Sequence, residues 1–183
     1  HLLSRRQRQM CIRDRQDIYE KIKAADIVIE SFPLYFFGMP SQMKATTDRC
    51  LPFMLPYMGN LVEDKNASFH ELRDESMHEK RLVVITTCGY VDEKPMYPAL
   101  LKQLDLIAGE GHYTAILCPE GELFIADKAK RQREGYLAEI TRAGAEFAQN
   151  RALSEETKKR IAKPILSPKG FETITLAHWG MNK

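Results

Sequence analysis

Three short apolar runs constrain this chain more than anything else in it: Ile27-Val28-Ile29, Leu82-Val83-Val84-Ile85 and Tyr113-Thr114-Ala115-Ile116-Leu117. The first two lack the polar–apolar alternation of a half-exposed strand, so they are expected to be strands covered on both faces, as in a parallel sheet. Helical periodicity fills the gaps. Ile18, Ile22 and Ala25 share one face of residues 17–25, and Pro40 opens a helix through Met43, Thr47, Cys50 and Leu51. Tyr97, Leu100, Leu101, Leu104 and Ile107 form a stripe closed by Gly109. Residues 127–151 carry Leu137, Ile140, Gly144 and Phe147 on one side, and Ser154 is a candidate N-cap ahead of Glu155 and Glu156. Strands alternating with helices mean βαβ units, a parallel sheet and an α/β fold wound on both faces. Residues 52–80, with His70 and His78, read as an extended excursion, and the end from Pro168 to Lys183, with Trp179, is open between helix and coil.

The first fifteen residues do not fit this frame. They hold five arginines, at 5, 6, 8, 13 and 15, and one acid, Asp14, without sustained periodicity. On physics alone they make a basic, solvated arm. Arg5 to Asp14, however, resembles the in-frame translation of a sequencing-library adapter, so residues 1–15 are expected to be an artefactual arm. The remainder divides into a partial domain at 16–151 and a C-terminal helical extension at 152–183. The whole chain carries 27 Lys and Arg against 25 Asp and Glu. Setting the arm aside leaves 22 against 24, with no basic stripe for a nucleic-acid partner. No apolar run approaches the roughly 20 residues that span a bilayer. The cysteines at 50, 88 and 118 are widely spaced, and His70, His78, His112 and His178 show no ligand spacing, so no metal site is expected. With Cys11 set aside along with the arm, three of the four cysteines remain, an odd number with no secretory signal, which points to the cytoplasm.

In an open doubly wound sheet, ligands bind beyond the carboxyl ends of the strands. The candidate loops are therefore Ser31 to Met39 and Thr86 to Tyr90. Gly38 and Gly89 let the backbone approach a flat ligand closely. Tyr35, Phe36 and Tyr90 can stack on such a ligand, or they can simply pack as ordinary turn aromatics; the residues alone leave both readings open. Cys88 reads as a small buried thiol, and Cys50 and Cys118 as packing residues. Glu120-Gly121-Glu122 is by default a solvated turn, with an active-site mouth as the alternative.

Two motifs carry a resemblance. Ala24 to Lys44 (AADIVIESFPLYFFGMPSQMK), followed by Asp48-Arg49, is similar to the flavodoxin-like NAD(P)H-dependent FMN reductase family, in the branch with multimeric flavodoxins and iron-sulfur flavoproteins. Arg81 to Tyr90 resembles that family's next strand and its Thr-Cys-Gly loop. The resemblance implies a flavodoxin-like doubly wound parallel sheet, incomplete because the first strand and the phosphate loop are missing. It implies FMN held between the two loops, with Pro33, Leu34, Tyr35, Phe36 and Gly38 on one side and Thr87, Cys88, Gly89 and Tyr90 on the other. Hydride would come from NAD(P)H and pass through the flavin to a small-molecule or protein acceptor, in an intact protein expected to be a homodimer. No catalytic side chain is implied. The loss of a central strand would leave an edge of Ile27–Ile29 unpaired. An electron carrier on the same scaffold, or a flavin-free inactive fragment, are the alternatives.

Overall fold

The computed structural model describes residues 16–55, 71–92 and 94–181. The arm at residues 1–15 and much of the excursion, including His70, lie outside the described residues. Strands β1 (Ile27–Pro33), β2 (Arg81–Thr87) and β3 (Tyr113–Cys118) run parallel in the order β1-β2-β3. Ile29 stands opposite Val83, and Val83 opposite Thr114. β1 is longer than its apolar run suggests. Ser31, Phe32 and Pro33, expected to begin the loop, stay in the ladder opposite Ile85, Thr86 and Thr87. Backbone pairing with β2 extends the strand where side-chain composition reads as a turn.

Helices occupy residues 16–24 (α1), Ser41–Arg49 (α2), Pro98–Ala108 (α3), Lys130–Asn150 (α4), Glu155–Ile161 (α5) and Pro168–His178 (α6). The open C-terminal stretch thus becomes a helix, capped by Ser167, whose hydroxyl accepts from the Gly170 amide. Ser154 caps α5 in the same way through Thr157. Short 3-10 turns at Gly121–Phe124 and Asp127–Ala129 connect β3 to α4.

Successive residues of β2 point to opposite faces, and each face has its own core. Val83 joins Ile116 and Cys118 beneath Tyr136, Ala143 and Phe147 of α4, with Ile161 of α5. Val84 joins Phe32 and Cys88 against Tyr97, Leu100 and Leu104. Tyr97 is buried, and its hydroxyl lies within donating distance of the Thr86 and Cys118 carbonyls, at 3.1 and 3.3 Å, tying together the ends of β2 and β3. A third cluster, Leu123, Ala126, Ala129 and Phe171, fixes α6 against the β3–α4 connection.

The inward face of α4 differs from the stripe read in the sequence. Tyr136, Ala143 and Phe147 are buried, whereas Leu137 is 43% exposed and Gly144 lies outward. Ile140 and Phe147 belong to the inner face in both; the phase slips by one residue only where Tyr136 stands in for Leu137 and Ala143 for Gly144. Tyr136 resolves the choice, because its hydroxyl donates to the buried Ile161 carbonyl at 2.9 Å.

β1 is not covered on both faces. Val28, Glu30 and Phe32 face α1–α3, while Ile29 is 62% exposed and Ser31 and Pro33 are open. Ile27 packs against the cluster on the α4 side, and Ile29 is not among the residues packed there. Among the described residues nothing pairs with the outer edge of β1. No described helix is long and apolar enough to cross a membrane.

Candidate functional site

The parallel register brings the ends of β1 and β2 together, because Pro33 stands opposite Thr87. One residue later the Leu34 amide donates to the Thr87 carbonyl at 2.8 Å. The two candidate loops therefore leave one sheet edge side by side. The first turns back at once: Tyr35 and Gly38 exchange amide–carbonyl bonds of 3.3 and 3.1 Å around Phe36 and Phe37. Both central residues have positive φ, 47° and 64°, as a type I′ turn requires. Asn and Gly are the usual occupants, and a bulky residue there is strained. Four described non-glycine residues have positive φ, and three of them, Phe36, Phe37 and Glu120, lie on loops at this edge. Strain of that kind persists where the surroundings enforce it, commonly at ligand sites.

The aromatic side chains do not pack away. Phe36 is fully exposed, Tyr35 is 62% exposed and Tyr90 51%. Leu34 and Met39 fold inward against the α3-side core. The amides of Leu34 and Gly38 are engaged within the protein. Those of Phe36, Phe37, Gly89 and Tyr90 meet no protein acceptor among the described residues, so four backbone donors stay unengaged beside exposed aromatic residues. Cys88 is buried beneath the second bend, its amide bonded to the Cys118 carbonyl at 3.0 Å. A planar heterocycle with carbonyl and ring-nitrogen acceptors along its edge fits this donor set, and FMN carries such a ring.

A third loop, after β3, is stitched to the second. The Glu120 amide donates to the Tyr90 carbonyl at 2.9 Å, and the Gly121 amide to the Cys88 carbonyl at 2.6 Å. A side-chain carbon on Gly121 would sit 3.1 Å from the Cys88 carbonyl oxygen and 3.2 Å from Thr87 Cβ. Glu120 is not in a solvated turn, as its neighbours in sequence suggest. It is fully buried, with φ of 54°, and its carboxylate accepts from the amides of Ile165 and Leu166. Glu122 stays nearer the surface, where it accepts from Trp179 Nε1 at 3.2 Å. In the sequence this turn has an active-site mouth only as its alternative reading, and no local pattern singles out Phe37 or Trp179.

Burial pushes the Glu120 carboxyl above its ordinary value near 4.5, and the Leu166 and Ile165 amides pull partly back. A carboxyl raised in the folded state favours the fold when protonated. Its stabilising contribution is complete below the unfolded value and is lost as pH rises through the raised folded value. Lowering the pH from about 8 to about 5 should therefore raise the melting temperature of the parent protein relative to Glu120→Gln, which carries no charge to neutralise. Paired thermal melts across that range test this; parallel profiles would refute it.

A cavity of about 370 Å³ lies elsewhere, on the α1–α3 face, lined by Ile22, Val28, Glu30, Cys50, Leu82 and Ile107 among others. Burial raises the pKa of both Glu30 and Cys50, and Glu30 adds to the rise at Cys50. Its thiol is thus held away from the reactive thiolate form. Among the described residues no group of His, Cys, Asp and Glu could hold a metal ion.

An open parallel sheet with helices on both faces and paired bends at its carboxyl edge defines a flavodoxin-like α/β protein. A family model described as "Flavodoxin-like fold" matches residues 2–114, and the chain belongs to that family. Both motifs that carry the resemblance fall inside the matched stretch. Among solved structures, an FMN-dependent NADH-azoreductase from Bacillus anthracis in complex with FMN is 17% identical, with a TM-score of 0.42, covering 63% of this chain and 54% of its own. A flavone reductase is 18% identical, with a TM-score of 0.46, covering 75% and 47%. A Klebsiella pneumoniae protein provisionally assigned as a quinone reductase is 22% identical, with a TM-score of 0.43, covering 60% and 46%. The chain spans about half the length of these proteins. No curated protein matches it.

Proposed function

We propose that this chain carries the isoalloxazine-binding edge of an FMN-dependent NAD(P)H oxidoreductase. The observation that carries the reading is the junction of the two bends. Leu34 N–H is bonded to the Thr87 carbonyl, and beside it stand exposed aromatics and unengaged amides at the carboxyl ends of adjacent strands. Membership of the flavodoxin-like fold family supports it.

When bound, FMN would supply the hydride and electron-transfer chemistry. The protein's part is to bind, orient and shield. Tyr35 and Phe36 on the first bend, and Tyr90 on the second, present rings that exclude water and stack on a flat ligand. The amides of Phe36, Phe37, Gly89 and Tyr90 donate to its acceptor edge. Pro33, Leu34 and Gly38 shape the first bend, while Thr87 and Cys88 support the second from below. Gly89 carries no side chain to block close approach.

Titrating FMN into the full chain should quench flavin emission to a saturable endpoint. The loaded protein should then oxidise NADH or NADPH when given 1,4-naphthoquinone. Unchanged flavin emission would reject the cofactor; saturable binding without nicotinamide oxidation is the behaviour of an electron carrier and would reject the enzyme.

A further inference from the structure

Glu30 is the only charged residue of β1. Alternation along the strand sets it on the same side as Val28, and both line the cavity of about 370 Å³ on the α1–α3 face. The wall around them includes Ile22 of α1, Phe53, Met77, Leu82 of β2 and Ile107 of α3. Val28 and Leu82 are the second residues of their strands, and Ile107 stands near the end of α3. The cavity therefore lies toward the amino ends of the strands, away from the two bends at the carboxyl ends.

Among the described residues the Glu30 carboxyl has no hydrogen-bond partner and no counter-charge, and burial is the sole cause of its raised pKa. The nearest candidate cation is engaged elsewhere: Lys80 Nζ donates to the Lys23 and Ala25 carbonyls at 2.6 and 2.8 Å. Arg81, Glu71, His78 and His112 also line the cavity, and all four are exposed to water. Cys50 is close enough to feel the Glu30 charge, and its thiol, kept protonated, offers a small neutral surface. A lone carboxylate in apolar surroundings is disfavoured until a positive group enters beside it.

We propose that this cavity is a second binding site, one that takes a small aromatic amine whose ammonium group pairs with Glu30 while its ring fills the apolar wall. The site stands apart from the flavin reading and does not depend on it. A mostly apolar cavity with one fixed polar group is the usual form of a small-molecule site, and its volume falls at the lower end of the roughly 300–1,000 Å³ such sites span. That size suits a fused two-ring body. The carboxylate sets the sign of the ligand: it attracts a cation, leaves a neutral analogue with ring burial alone, and repels an anion.

The test titrates the full chain calorimetrically with three probes that share one ring system: 1-naphthylmethylamine, 1-naphthylmethanol and 1-naphthylacetate. The amine should bind saturably and about ten- to a hundredfold more tightly than the alcohol, the effect of one charge-assisted hydrogen bond, with the acetate weakest. Glu30→Gln keeps the size of the side chain and removes its charge, so the amine should fall to the level of the alcohol while the alcohol stays within about twofold of the parent. Saturating amine should also slow alkylation of Cys50 by iodoacetamide at least threefold in the parent chain, read by mass spectrometry on the Cys50 peptide; this locates the site without any variant. Equal affinity for amine and alcohol in the parent would overturn the proposal, as would an amine preference that survives in Glu30→Gln, or an unprotected Cys50. Tightest binding of the acetate would assign the cavity to its cations and overturn it equally, and so would no binding of any probe.

Discussion

Replacing Phe36-Phe37 with Asn-Gly should make this protein more stable and a poorer flavin binder. The two phenylalanines occupy the central positions of a two-residue hairpin turn with φ of 47° and 64°. Each bulky residue held in that region costs on the order of 1–3 kcal/mol. Asn and Gly adopt it with little strain. Phe36 is fully exposed, so its removal forfeits no core packing. A net gain of about 1–3 kcal/mol corresponds to roughly 2–4 °C in melting temperature per kcal/mol for a domain of this size. The same change removes aromatic faces from the proposed ring site, which should weaken FMN about two- to tenfold for each stacking ring removed. Thermal melts and flavin-emission titrations on one preparation read both effects. A lower melting temperature would show that the turn is not strained, and undiminished FMN affinity would show that its rings do not serve the ligand.

Gly121→Val should damage both the fold and the site. Any side chain at 121 meets the Cys88 carbonyl oxygen at 3.1 Å and Thr87 Cβ at 3.2 Å. Neither can retreat freely. The Cys88 carbonyl accepts the Gly121 amide, and Thr87 is the last residue of the β2 ladder, its own carbonyl taken by Leu34. The added bulk must therefore push the second bend away from the third loop, at a cost of about 1–3 kcal/mol for overpacking. That shift moves the Gly89 and Tyr90 amides, so FMN affinity should fall by about tenfold or more, the effect of an ångström-scale misplacement. Gly121→Ala, with one carbon added, should show the same pattern at smaller size. FMN binding equal to the parent in a destabilised Val variant would separate the second bend from the cofactor.

Much of the architecture is readable in the residues because it follows from local rules. The three apolar runs became the three strands, and the stripe from Leu100 to Leu104 became the buried face of α3. Gly109 ends that helix at φ of 92°. Errors arise where two local patterns compete. Leu137 and Tyr136 stand equally well for the inner face of α4, and a distant carbonyl, that of Ile161, selected Tyr136. Phe32-Pro33 reads as loop by composition and is strand by pairing.

What the sequence by itself determined is the order of strands and helices, and with it a parallel sheet whose first two carboxyl-end loops carry aromatic and glycine residues. What only the tertiary structure decided is how those loops are held. Glu120 is buried by amides 45 and 46 residues ahead, and Trp179 is tethered to a carboxylate 57 residues behind it. Periodicity and turn chemistry act over a few residues, so one strand of letters records them. A buried carboxylate or a tethered indole depends on which distant groups fold against it, and no local pattern carries that information.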